Sequence, residues 1–143
     1  MKSILTFILL AFTSAAPQVE ADDILGVWLT KEGKGHVKIS RYGDYFSGRI
    51  IWLKEPNDPD TGKPKLDKNN PNEKMRNTPI LNYLVLQNFK FDDGVWTGGT
   101  IYDPTSGDTY KCKMKMQDRN TLEVRGFVGI SLIGRTDYWY RVK

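Results

Sequence analysis

Val95-Trp96-Thr97-Gly98-Gly99-Thr100-Ile101-Tyr102-Asp103-Pro104-Thr105-Ser106-Gly107-Asp108-Thr109-Tyr110-Lys111-Cys112-Lys113-Met114-Lys115-Met116-Gln117-Asp118-Arg119-Asn120-Thr121-Leu122-Glu123-Val124-Arg125-Gly126-Phe127-Val128 decides the fold. Between Tyr110 and Met116, apolar Tyr, Cys, Met and Met alternate with Lys. That period of two puts alternate side chains on opposite faces of a strand. Asp103 to Gly107 and Asp118-Arg119-Asn120 supply the residues that tight turns need. The stretch therefore predicts three antiparallel strands, Val95–Asp103, Thr109–Gln117 and Thr121–Val128, joined by hairpins.

The same pattern extends in both directions. Upstream runs are Val27–Thr30, His36–Tyr42, Tyr45–Leu53 and Tyr83–Phe91, and Thr136–Val142 follows. Gly33 and Gly35, Gly43-Asp44 and Asp92-Asp93-Gly94 punctuate them. A meander of about eight strands must curl, because open sheet edges invite association. Closure into a single up-and-down antiparallel β-barrel removes those edges. Gly48, Gly98, Gly99 and Gly126 fall inside strands, where glycine permits sharp bending and could leave interior room.

One segment departs from the pattern. Residues 55–79 contain Pro56, Pro59, Pro64, Pro71 and Pro79 and cannot form a central strand. Asn70-Pro71-Asn72-Glu73 resembles a helix start, which predicts a short helix to about Asn77. A loop this long is expected to act as a lid or binding loop, or to plug one barrel end with Met75 or Leu66.

Met1-Lys2-Ser3, the apolar run from Ile4 to Phe12 and the small residues ending in Val19-Glu20-Ala21 have the layout of a secretory signal peptide. We expect cleavage after Ala21, leaving residues 22–143 as one exported domain, periplasmic or secreted. Cleavage after Ala16 is the alternative, disfavoured by Pro17. The single cysteine, Cys112, excludes an internal disulfide and reads as a small buried strand residue. The formal charge of +4 is mixed in sign along the chain, unlike the basic stripe of a nucleic-acid binder.

Two features resemble the lipocalin-like (calycin-type) barrels: Gly26-Val27-Trp28 on the first strand and Trp139-Tyr140-Arg141 on the last. In such barrels a cation from the end of the chain lies over the first-strand indole and closes one end. Trp28 with Arg141, or with Arg135 as competitor, is the expected latch. A more specific resemblance covers nearly all of residues 22–143. Gly48-Arg49-Ile50-Ile51-Trp52-Leu53, Trp96 to Pro104 with Gly107 and Tyr110, Leu122 to Gly129, then Gly134-Arg135-Thr136 and Trp139, resemble the bacterial family catalogued as domain of unknown function 2147. The resemblance implies an exported lipocalin-like barrel. It implies no reaction and supplies no catalytic residues.

Chemistry-bearing residues are sparse. His36 is the only histidine, expected exposed at a strand start and without the cluster a metal or nucleophile site needs. Asn57-Asp58-Pro59-Asp60-Thr61-Gly62 lacks the later ligands of a calcium loop and reads as a turn. Asp67, Asn69, Asn72 and Glu73 offer further oxygens. No metal, cofactor or catalytic residue is assigned, and the one speculative cluster for an enzyme is Asp103, Tyr110 and Arg125. Lys111, Lys113 and Lys115 share one strand face, either a solvated outer wall or a weak attraction for an anionic membrane. Phe46, Gly48, Ile50 and Trp52 share a face by parity, so Trp52 is expected in the core or in a pocket wall. On parity Arg125 lies opposite Leu122 and Val124, as an outer residue or a buried anchor for an acidic group. Trp52, Trp96, Tyr110, Arg125 and Trp139 are the candidate ligand-binding residues. The expected function is non-enzymatic binding of a small hydrophobic or amphipathic ligand in the barrel. The alternative is a filled barrel acting as an interaction module, its interior taken up by Phe46, Ile50, Trp52, Leu84, Leu86, Met114 and Met116.

Overall fold

The computed structural model describes residues 3–4, 6–12 and 18–142. Eight strands form one closed barrel in chain order. They are β1 (Gly26–Leu29), β2 (Gly35–Tyr42), β3 (Tyr45–Leu53), β4 (Leu84–Asp92), β5 (Val95–Asp103), β6 (Asp108–Asp118), β7 (Thr121–Phe127) and β8 (Gly134–Arg141). Every neighbouring pair is antiparallel, and β8 returns to pair with β1 at Trp28↔Arg141 and Leu29↔Tyr140. The alternation read from the sequence is the alternation of burial. In β6, Cys112, Met114 and Met116 point inward, while Lys111 and Lys115 are exposed.

The barrel has two unlike ends. One carries the β2–β3, β4–β5 and β6–β7 turns together with residues 19–25 and the end of β8. Its interior is full. Trp28, Phe46, Leu86, Phe89, Trp96, Met114 and Leu122 are all buried there. Gly48 and Gly99 make this filling possible. A Cβ on Gly99 would stand 2.5 Å from the Phe89 ring, and one on Gly48 would stand 2.9 Å from both Leu86 and Val37. These glycines leave room that neighbouring side chains then occupy, so they do not hollow the barrel.

A single 3₁₀ turn, Ala21–Ile24, caps the filled end. Ile24 is buried, and Val19 and Ala21 lie against the core. The Trp28 indole N–H donates to the Ile24 carbonyl at 2.9 Å, and that of Trp96 to the Ala21 carbonyl at 3.2 Å. The Arg141 guanidinium lies 4.3 Å from the Trp28 ring centroid. It also donates to the carbonyls of Leu25, Asp23 and Arg119 at 2.9, 2.6 and 2.7 Å. One cation thus ties together the entry segment, the first strand and the β6–β7 turn. Arg135, the competing candidate, lies near the other end beside Asp137.

Residues 1, 2, 5 and 13–17 lie outside the described residues, and with them part of the expected signal peptide and its alternative cleavage point. Among the described residues, no helix is long and apolar enough to cross a membrane.

The segment between β3 and β4 carries no α-helix. It holds one 3₁₀ turn, Glu73–Met75, capped by the Asn72 side chain, which accepts from the Lys74 amide. Asn70, expected as the cap, is instead buried. Its amide group donates to the Asp67 carboxylate at 2.8 Å and its side-chain oxygen accepts from the Asn72 N–H. Drawn inward by those bonds, Asn70 is unavailable to start a helix.

Candidate functional site

The other end carries the β1–β2 connection, the long β3–β4 segment and the β5–β6 and β7–β8 turns. Here the interior is open, as a cavity of about 1310 Å³ reaching solvent. Its apolar walls come from every part of the barrel, among them Val37, Ile50, Val85, Ile101, Val124 and Trp139. Gly126 faces this space, where a Cβ would meet Ile101 and Tyr110 at an ordinary 3.6 Å and the Lys111 carbonyl oxygen at 4.0 Å. The mouth is charged and internally paired. Lys34 meets Glu32 at 3.1 Å, Lys68 meets Asp58 at 3.7 Å, and Asp137 accepts from both Lys31 and Arg135. The Lys34 hydrogen bond holds the Glu32 carboxyl below its ordinary pKa, and the Asp60 N–H does the same for Asp58.

The β3–β4 segment is anchored beside this mouth by a buried polar cluster. Asp67 is fully buried. The Tyr102 hydroxyl donates to one carboxylate oxygen at 2.7 Å, and the Asn70 amide donates to the other. Asn70 also donates to the Tyr83 hydroxyl at 3.0 Å, and the Tyr83 and Tyr102 rings lie 5.3 Å apart. Burial, followed by the bond to Asp67, raises the Tyr102 phenol well above its ordinary value. Burial and the Asp67 charge raise Tyr83 also. A second anchor is Asn69, whose amide donates to the Thr105 carbonyl at 2.9 Å. The Asn69 carbonyl sits so close to Gly107 that no Cβ fits there, and Gly107 has φ +77°. Leu66 lines the mouth, while Met75 lies out in solvent and plugs nothing.

The five candidate ligand-binding residues separate. Tyr110 and Trp139 line the cavity. Trp96 is buried in the filled half, against Phe46 and Phe91. Trp52 is outside the barrel, 42% exposed, with His36 stacked on it at 4.4 Å. The parity argument fails there because of a β-bulge. His36 pairs with Trp52 but Val37 pairs with Ile50, so Ile51 is an extra residue and the phase inverts. Leu53 takes the inward position instead. His36 is accordingly half-buried rather than exposed. Arg125 points outward and donates to the Ser131 carbonyl at 2.7 Å and the Thr136 hydroxyl at 2.8 Å. It staples the β7–β8 hairpin and does not reach the cavity, so Asp103, Tyr110 and Arg125 form no cluster. Among the described residues, no group of three or more His, Cys, Asp or Glu could hold a metal ion.

Strand number, closure and one open, apolar end define an all-β, lipocalin-like barrel. The chain belongs to the bacterial family described as "Uncharacterized protein conserved in bacteria (DUF2147)", whose model matches residues 26–141. It is similar in structure to HP1028 from Helicobacter pylori, described as belonging to the lipocalin family. That match has a TM-score of 0.71 and 26% sequence identity, and covers 83% of this chain and 82% of the other. No curated protein matches the chain.

Proposed function

We infer that the protein is an exported, non-enzymatic carrier or sensor that takes a small hydrophobic or amphipathic molecule into the open half of the barrel. The observation that carries this reading is the open cavity of about 1310 Å³ that runs from the ion-paired mouth into the apolar barrel interior. Its size suits a ligand larger than a single ring, since pockets for drug-sized molecules run to roughly 1,000 Å³. Its walls suit an apolar body, and Tyr110, Asp137 and Arg135 at its edge suit a polar end. The same geometry disfavours a barrel filled throughout, because Phe46, Leu86, Met114 and Met116 are gathered in the opposite half and Leu84, at the start of β4, is only half-buried. Ile50 borders the cavity without filling it, and Trp52 contributes nothing to the interior.

The test is native mass spectrometry of the exported protein, paired with displacement of an environment-sensitive fluorescent fatty acid. Wild type is expected to carry a releasable mass and to bind the probe. Gly126→Leu, which projects a side chain into the cavity, is expected to fold normally and lose both. Equal probe binding by wild type and Gly126→Leu would place the ligand elsewhere and remove the reading.

A further inference from the structure

We propose that the protein docks on an anionic lipid bilayer through the β7–β8 hairpin, with the mouth of the barrel facing the membrane. This goes beyond ligand binding and does not require it. The hairpin tip reads Val128-Gly129-Ile130-Ser131-Leu132-Ile133, and its four large apolar side chains are between 59% and 85% exposed. Solvated hairpin tips favour Gly, Asn, Asp and Ser, so this composition is anomalous for a turn in water. The tip is also held in place. The Val128 N–H donates to the Ile133 carbonyl, the Ile133 N–H to that of Ile130, and Arg125 grips Ser131 from the outer wall. Gly134 permits the return, because a Cβ there would lie 2.3 Å from the Gly126 carbonyl oxygen. Val128 and Ile133 also border the cavity mouth, and Ile130 and Leu132 are the part of the tip presented to solvent.

The charge beside the tip chooses the partner. On the outer wall below it, Lys111 pairs across from Phe127 and Lys113 from Arg125. Arg125 bonds only to neutral acceptors, so its charge is uncompensated by any carboxylate bond. On the mouth side, Lys31 and Arg135 are balanced by Asp137 and Glu32. The uncompensated positive charge beside the tip therefore lies on its outer-wall side. Glu123, the nearest outward carboxylate along β7, lies a further step toward the filled end opposite Lys115. Apolar side chains that enter the acyl boundary, beside cations that meet headgroup phosphates, are the pattern of an interfacial anchor. The strand row Lys111-Lys113-Lys115 contributes its hairpin end to this surface.

The experiment is co-sedimentation of the exported protein with sucrose-loaded vesicles of phosphatidylcholine alone or with about 30% phosphatidylglycerol. Each cation near an anionic surface strengthens binding by about fivefold. The expected result is binding to the anionic vesicles, weakened by salt, with Lys111→Ser reducing it by about that factor. Ile130→Asp with Leu132→Asp changes only exposed positions and is expected to leave the fold intact, verified by unchanged tryptophan emission. It should weaken vesicle binding by at least about tenfold. Leu132→Trp reports insertion directly, by a blue shift on adding anionic vesicles. Three results would each overturn the proposal: no binding to anionic vesicles, full binding by the double aspartate variant, or a tip that instead mediates self-association, seen as a dimer in sedimentation equilibrium that the double variant abolishes.

Discussion

Tyr102→Phe is the sharpest test of how the long β3–β4 segment is held. The substitution deletes one oxygen and leaves the ring in place, so packing is retained. What is lost is the 2.7 Å donor to Asp67, a side chain with no solvent exposure. A hydrogen bond to a charged group is worth about 1.5–3 kcal/mol, and a buried acceptor left unmade costs about as much. Asp67 keeps its bond from Asn70, which limits the loss. We expect a destabilisation of about 2 kcal/mol, read by urea unfolding with tryptophan emission. For a domain of this size that corresponds to a fall in Tm of about 6–10 °C. Tyr83→Phe is the internal control. The Tyr83 hydroxyl accepts from Asn70 and lies near the Asp67 carboxylate without the 2.7 Å bond that Tyr102 makes, so its removal should cost less, about 0.5–1 kcal/mol. The alkaline limb carries a second signature. The Tyr102 phenol is raised in the folded state, so the native protein holds that proton after the unfolded chain has released it. Its contribution is therefore complete below the ordinary phenol value near pH 10 and is lost as pH rises above it. Stability should fall less steeply above pH 10 in Tyr102→Phe than in wild type. Equal midpoints for Tyr102→Phe and wild type, within about 0.5 kcal/mol, would refute the account of Asp67 as the anchor.

Trp28→Ala should cost about 3–5 kcal/mol, since it removes a fully buried indole together with the surface on which Arg141 lies. Equal denaturation midpoints for variant and wild type would remove the latch. Burial pushes the Cys112 thiol up to about 12, so native protein at pH 8 should not react with a thiol reagent and should become stoichiometrically reactive in urea. Prompt labelling of the native fold would contradict its burial. Finally, the intact mass of the mature chain tests the cleavage expected after Ala21. The Trp96–Ala21 bond and the packing of Val19 exist only in a chain that retains those residues. With cleavage after Ala21 the expected mass is that of a chain starting at Asp22, which lacks both contacts; a mass corresponding to a start at or before Val19 would show that they persist in the mature chain.

The strands were legible because their cause is local. Tyr45–Leu53 and Val95–Asp103 have the bounds their alternation and turns predict, and the other six differ by a residue or two at their ends. Side-chain direction was legible only as far as the period stayed unbroken. Ile51 adds one residue to β3, and Trp52 moves from the interior to the surface. Nothing in Gly48-Arg49-Ile50-Ile51-Trp52-Leu53 marks that residue, because a bulge is set by the register of the partner strand. Asp67 was read as one oxygen among several in a proline-rich loop. Its donor Tyr102 is 35 residues away, and no local pattern links them. A signal was nevertheless present at Asn70. An Asn before Pro that also lies three residues after an Asp can serve the Asp as readily as a helix. The apolar side chains of residues 127–133 drew no reading of their own, because their exposure depends on the strand ends meeting at the mouth.

The seam between β1 and β8 has a consequence for the order of folding events. These strands pair only at Trp28↔Arg141 and Leu29↔Tyr140, whereas β2 pairs with β3, and β6 with β7, along nearly their whole length. Arg141 reaches Leu25 across 116 residues of chain. The β2–β3 hairpin and the hairpins from β4 to β8 can each zip locally and fast, but the ring cannot close until the last strand has arrived and found the first. That long-range step should limit the folding rate, because the entropy of so large a loop is lost before any bond across it forms. A chain emerging N-terminus first would wait as a curled, open sheet with β1 and its entry segment unpartnered on one side. The seam is then the last part of the wall to form and the first to exchange its amide hydrogens.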